Sequence, residues 1–163
     1  MANDGKRATL TTPTDTQILI TREFDAPRHE VYQAWITPEL LRRWWHANRA
    51  DVTEVESDVR PGGKWLYAAR ADNGFEFSFF GEYREVVPDE RLVSTEHYSE
   101  APEAETLNTA TFSDIGGRTH LELTVECRNK ADRDAQLDSG MEGGLQDALV
   151  LLEGVARELA RAA

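Results

Sequence analysis

The chain has 163 residues, 40 % of them hydrophobic and 29 % charged, with a formal charge of −12. That length supports one domain with a real core and excludes two ordinary ones. No apolar run nears the roughly 18 residues of a membrane helix, and so strong an acidic balance argues against nucleic-acid binding, which depends on neutralising phosphates with Lys and Arg.

Residues 1–16 are polar, small and Pro-containing, and they read as a flexible tail ahead of a single domain over 17–163. The tail lacks the apolar stretch of a secretory signal. One cysteine, Cys127, excludes an intrachain disulfide and fits a reducing compartment, so a cytoplasmic protein is expected.

Ile18, Ile20 and Phe24 share one side of a first strand, with Arg22 the exception to the alternation. Pro27 suits the start of a helix, and Val31, Ala34 and Trp35 follow at helical spacing. A second short helix begins at Thr37–Pro38–Glu39, with Thr37 as N-cap. It ends in two adjacent tryptophans. Neighbours on a helix point about 100° apart, so Trp44 is assigned to the core and Trp45 to a cavity mouth where helical periodicity stops.

From residue 50 onward the pattern is that of strands. Val52 and Val55 lie in a short one, and Arg60–Trp65 (RPGGKW) reads as turn chemistry, since it enters a strand and lacks a phosphate-loop pattern. Trp65, Tyr67 and Ala69 share a face. Asn73–Gly74 signals a hairpin, and Phe75, Phe77, Phe79, Gly81 and Tyr83 line one face of the return strand. A fifth strand over Arg91–Tyr98 follows, then a loop over Ser99–Glu105, a strand over Thr106–Asp114, and a clean alternation of Leu121, Leu123, Val125 and Cys127. From about Ala131 the chain reads as helix. Leu137, Met141, Leu145, Leu149, Leu152, Ala156 and Leu159 form one stripe, interrupted by Gly140, Gly143 and Gly144, where a break or a close approach is expected. The order implies an α+β fold in which a curved antiparallel sheet is covered by a long C-terminal helix.

The segments FDAPRHEVYQAWITPELLRRWW, DVRPGGKW, GEYREVVPDERLV and SGMEGGLQDALVLLEGVA resemble, in order and spacing, the bacterial family homologous to activators of the heat-shock ninety-kilodalton chaperone's ATPase. That family lies in the START-like (SRPBCC) helix-grip superfamily. The resemblance spans roughly Ile18 to Leu159. It implies a helix-grip fold of about six to seven strands around the long helix, with two short helices after the first strand and an apolar cavity between sheet and helix. Leu145 stands where the family commonly has a large aromatic, which implies a wider cavity centre.

The expected function is binding of a small apolar or aromatic ligand in that cavity. A cyclase- or dehydratase-type enzyme using Tyr67, Tyr83 or His97 as proton donors is the first alternative, and a chaperone-interacting protein of the stress response is the second. The candidate ligand-binding residues are Trp45, Trp65, Tyr67, Phe77, Phe79, Tyr83, His97, Met141, Leu145 and Leu149. On the fifth strand either His97 or Tyr98 faces inward, and His97 is taken. Each aromatic can equally fill the core. Glu142 is a weak acid–base candidate at the cavity edge. The four histidines are scattered without ligand spacing, so no metal and no cofactor is expected. Cys127 reads as a packed, inert thiol. The partners expected are a small molecule and, under the second alternative, a chaperone, with a homodimer left open.

Overall fold

Short polar turns between alternating strands dictate the architecture. In a computed structural model describing residues 7–46 and 49–163, the chain order is β1 (Thr9–Thr11), β2 (Gln17–Phe24), α1 (Arg28–Ile36), α2 (Pro38–Leu41), β3 (Asp51–Ser57), β4 (Lys64–Arg70), β5 (Glu76–Val87), β6 (Arg91–Tyr98), β7 (Ala101–Ile115), β8 (Arg118–Glu126), α3 (Lys130–Asp138) and α4 (Met141–Ala162). The strands form one antiparallel eight-stranded sheet in the order β1-β2-β8-β7-β6-β5-β4-β3. The α+β helix-grip arrangement read from the sequence is therefore the observed one. No helix among the described residues is long and apolar enough to cross a membrane.

The concave face carries Ile18, Ile20 and Phe24 of β2, Leu121 and Val125 of β8, and Ala110 and Phe112 of β7, all buried. Leu149, Leu152, Val155 and Ala156 of α4 close over this end of the sheet. Helices α1 and α2 bridge from one sheet edge to the other. They pack Tyr32 and Trp35 edge-on to Phe112 at 5.7 and 5.6 Å between ring centres. Thr37 is the N-cap of α2 by position, with Pro38 following, but its side chain makes no capping bond.

Two departures from the sequence reading, and one break that it expected, have physical causes. Within the expected tail, Thr9–Thr11 form β1, which gives the β2 edge its hydrogen-bond partners. Ala8 beside it is buried, donating its N–H to Gln146 Oε1 at 2.9 Å and accepting from Gln146 Nε2 at 2.8 Å. The N-terminal part of the tail, residues 1–6, lies outside the described residues. The loop expected over Ser99–Glu105 is mostly strand: β7 starts at Ala101, paired with Tyr98, after a bulge between Glu96 and Tyr98. Pro102 sits where that bulge removes the need for its missing donor. The helical region after residue 130 is two helices, divided at Gly140, whose φ of +81° is a glycine conformation.

Arg22, the exception in β2, points inward like its neighbours. It is buried and its Nη1 lies 2.7 Å from Oε1 of Glu153 on α4, with side-chain exposures of 1 % and 2 %. Its guanidinium also rests 4.5 Å from the centre of the Phe24 ring.

Candidate functional site

Toward the β4–β5 end of the sheet the inward-facing rings are only partly buried. Successive inward positions of β4 and β5 carry Trp65, Tyr67, Phe77, Phe79 and Tyr83, because pairing Tyr67 with Phe79 and Trp65 with Gly81 puts these alternating residues on one face. The bulge between Val52 and Glu54 returns Val55 to the same face as Val52, which explains their spacing of three in the sequence. Tyr67, Phe77, Phe79 and Tyr98 stay half-buried although they point toward the helix side, as do Trp45, Met141 and Leu145 opposite them. Tyr67 is hemmed in by protein, with burial the main cause of its raised pKa, yet it keeps accessible surface. The half-buried groups between the sheet and α4 outline the candidate cleft.

The rings contact one another as a continuous wall. Trp45 meets Tyr67 and Phe79 edge-on at 5.4 and 5.9 Å, and Tyr98 stacks on Phe79 at 4.9 Å. His46 lies against Phe77 at 5.5 Å. Burial, and then the charge of Arg49, holds the His46 pKa below its ordinary value, so its ring is neutral at neutral pH.

Trp44 takes the core position expected of it. Trp44 is buried and donates its indole N–H to the Ala34 carbonyl at 2.9 Å, tying α2 back onto α1. Trp45, one residue on, is half-buried at the aromatic wall. Both backbone amides bond to the Leu41 carbonyl, at 3.1 and 3.0 Å, so the helix ends by tightening and the second ring escapes its periodicity.

Among the other candidate residues, Trp65 and Tyr83 are buried beneath the cleft. Trp65 donates to the Thr95 carbonyl at 3.2 Å, and the Tyr83 hydroxyl lies 2.8 Å from Ser57 Oγ. Leu149 is fully buried and belongs to the core under the cleft. The phenols of Tyr67 and Tyr83 stand beside each other, and burial above all pushes both pKa values up, so both remain hydrogen-bond donors at neutral pH.

His97 must be reassigned. It sits on the convex face, stacked on Phe80 at 5.3 Å, with Nδ1 2.7 Å from the Pro102 carbonyl and Nε2 3.1 Å from Glu105 Oε2. There it borders an outer groove of about 490 Å³ together with Glu56, Lys64, Leu66 and Phe80. Tyr98 is the inward residue, since the Phe79–Tyr98 and Phe80–His97 pairs fix opposite faces. Glu142 is exposed, in the first turn of α4. Gly143 and Gly144 do not open space over the aromatic rings; a Cβ there would meet the Arg49 side chain at 3.6 and 3.9 Å. Arg49 lies along that turn and pairs with Asp147 at 2.7 Å, closing one side of the mouth.

The sequence reading missed Glu96. It lies on the inward face of β6, between Ser94 and Tyr98, and pairs in register with Thr106. Its Oε1 accepts from Asn108 Nδ2 at 2.5 Å, and Asn108 Oδ1 accepts from the Thr106 hydroxyl at 3.1 Å. Burial is the main cause that raises its pKa, with the Asn108 bond and the charge of His97 acting against it. The signal was a carboxylate at an inward position of a strand whose two faces look equally apolar.

Among the described residues no cluster of three or more His, Cys, Asp or Glu is arranged to hold a metal. Cys127 is buried, and burial pushes its thiol pKa up, as an inert core thiol requires.

The fold and the long α4 agree with comparison to known proteins. A family model described as Activator of Hsp90 ATPase homolog 1-like protein matches residues 25–157. The chain belongs to that family. The match includes α1, α2, the aromatic wall and most of α4, so the whole cleft lies within the family domain. A protein from Rhodobacter sphaeroides superposes with a TM-score of 0.85 at 25 % identity, over 93 % of this chain and 99 % of that one. Protein Ms6760 from Mycobacterium smegmatis gives 0.81 at 22 % identity, over 91 % and 96 %. Protein NE0264 from Nitrosomonas europaea gives 0.80 at 19 % identity, over 93 % and 100 %. The last two likenesses speak for the fold alone. No curated protein matches the chain in sequence.

Proposed function

We propose that this family member binds a small apolar or aromatic molecule in the cleft between the start of α4 and strands β4 to β6. The observation carrying this reading is the wall of half-exposed rings, Trp45, Tyr67, Phe77, Phe79 and Tyr98, facing Met141 and Leu145. Rings left partly in water at the inner face of a sheet forgo burial worth about 25 cal/mol per Å². A ligand that covers them recovers it, and the hydroxyl of Tyr67, held from beneath by the buried Tyr83, offers a fixed polar contact that orients a ligand. The buried lone Cys127 suits a reducing, cytoplasmic setting.

The test is titration with N-phenyl-1-naphthylamine, a neutral probe that brightens in apolar surroundings. Saturable binding and a raised melting temperature are expected, because a ligand of the folded state stabilises it. Leu145→Trp, which fills the cleft, should abolish both, whereas His97→Ala on the convex face should change neither. Binding that survives Leu145→Trp would refute the placement. A chaperone-directed role is supported by the family description alone, and stimulation of a chaperone ATPase by the Leu145→Trp variant would favour it over ligand binding. A cyclase-type activity would depend on the phenols of Tyr67 and Tyr83 as donors.

A further inference from the structure

Binding of an apolar ring leaves one group in the cleft unused. Glu96 is a carboxylate on the concave face, one step along β6 from the Tyr98 ring that stacks on Phe79. It is deep enough for burial to dominate its titration, yet it keeps accessible surface. We propose that the ligand is an aromatic or apolar amine whose ammonium group pairs with Glu96. The inference rests on the ligand-binding reading above and narrows it to cationic molecules.

Three observations converge on a cation. First, the carboxylate is oriented: the Thr106 hydroxyl bonds the oxygen end of the Asn108 amide, which turns its NH₂ toward Glu96 Oε1. That leaves Oε2 with no donor among the described residues. Secondly, among the described residues no Lys or Arg is paired with this carboxylate, and His97 belongs to the outer face. A buried carboxylate without a counter-charge is costly, and an ammonium supplies the missing partner. Thirdly, Tyr98 stands two residues along on the same face of β6 and Tyr67 is near enough to feel the carboxylate's charge, and aromatic rings attract a cation through their quadrupoles. Arg49 at the mouth is already matched by Asp147, and the charge of −12 draws cations toward the protein.

The experiment is calorimetric titration of the full chain with three probes sharing one ring: 2-(2-naphthyl)ethylammonium, 2-(2-naphthyl)ethanol and 2-naphthylacetate. The ammonium should bind about tenfold or more tighter than the alcohol, the effect of one charge-assisted hydrogen bond, with the acetate weakest. Titrated on the acidic side, where the carboxyl of the free protein is protonated, its binding should release protons, visible as a heat that varies with the buffer, because a counter-ion favours the ionised carboxylate. In Glu96→Gln the preference and the proton release should vanish while the alcohol binds as before. Glu96→Asp should keep a reduced preference, which covers the case of a poorly folded amide variant. An alcohol as tight as the ammonium in the native chain, or a preference surviving Glu96→Gln, overturns the inference and leaves the ligand-binding reading standing. Failure of all three probes overturns both.

Discussion

Truncating Glu153 to Ala should destabilise this protein more than any surface substitution. The partners are Arg22 on β2 and Glu153 on α4, with side chains 1 % and 2 % exposed and Nη1 2.7 Å from Oε1. At an effective dielectric of about 20, that separation gives a gross attraction of about 6 kcal/mol. Withdrawing both ions from water takes back several kcal/mol each, so the intact pair contributes little net. Removing the carboxylate alone leaves the guanidinium's desolvation without its main reward. The expected cost is about 3–5 kcal/mol. The Glu23 carbonyl, 3.1 Å from Nη1, and the Phe24 face offset only part of it, the latter about 1 kcal/mol by a cation–π contact. For a domain of this size each kcal/mol moves the melting temperature by about 2–4 °C, so a fall of about 6–20 °C is expected. Urea unfolding followed by tryptophan fluorescence measures the loss. The double variant Arg22→Met/Glu153→Leu should recover most of it, because it removes both desolvation costs together. A single-variant loss below about 1 kcal/mol, or a double variant as unstable as the two singles added, would refute the reasoning.

Two glycine-to-alanine changes should move stability in opposite directions in that assay. Gly81→Ala brings a Cβ to 1.9 Å from the Thr95 carbonyl oxygen and 2.9 Å from the Trp65 indole nitrogen, a backbone clash that should cost about 3 kcal/mol or more. Gly154→Ala, in open space on the exposed side of α4, should gain up to about 1 kcal/mol. The lowered His46 pKa means the unfolded chain binds more protons there, so its contribution is present above 6.5 and lost as pH falls through the folded value. Melting curves of His46→Phe should accordingly show a shallower decline below 6.5 than the native chain. Glu96 has the opposite sign. Its raised folded pKa makes its contribution complete below 4.5 and progressively lost as pH rises through the folded value. Glu96→Gln should therefore melt above the native chain at neutral pH, with the gap closing toward 4.5.

Period-two alternation was enough to place Trp65, Tyr67, Phe77 and Phe79 on one face, because β4 and β5 pair there without a bulge. It was not enough for β6. In Arg91–Tyr98 both faces carry buried residues, Leu92 on one and Val93 and Thr95 on the other, so alternation alone could not choose between His97 and Tyr98. The register with Phe79 and Phe80 decides it, and register is a long-range fact. Arg22 and Glu153 each look like a flaw in an apolar stripe when read singly, and only their contact across 131 residues resolves both. Of the glycines near the start of α4, Gly140 signalled the break correctly, whereas Gly143 and Gly144 make only ordinary contact with Arg49, from a loop whose path local pattern does not encode.

The placement of β2 has a kinetic consequence. β3 to β8 follow one another as neighbouring antiparallel strands, so each pairing closes a short loop. β2 reaches β8 only by joining Ile20 to Leu123, a closure of roughly a hundred residues with a correspondingly larger entropic cost. The meander can assemble first and the N-terminal strand dock last, bringing Arg22 to Glu153 at the end. Weakening that strand should then hasten unfolding and barely slow folding. Removing one partner of the buried ion pair should accordingly shorten the lifetime of the native state rather than slow its formation.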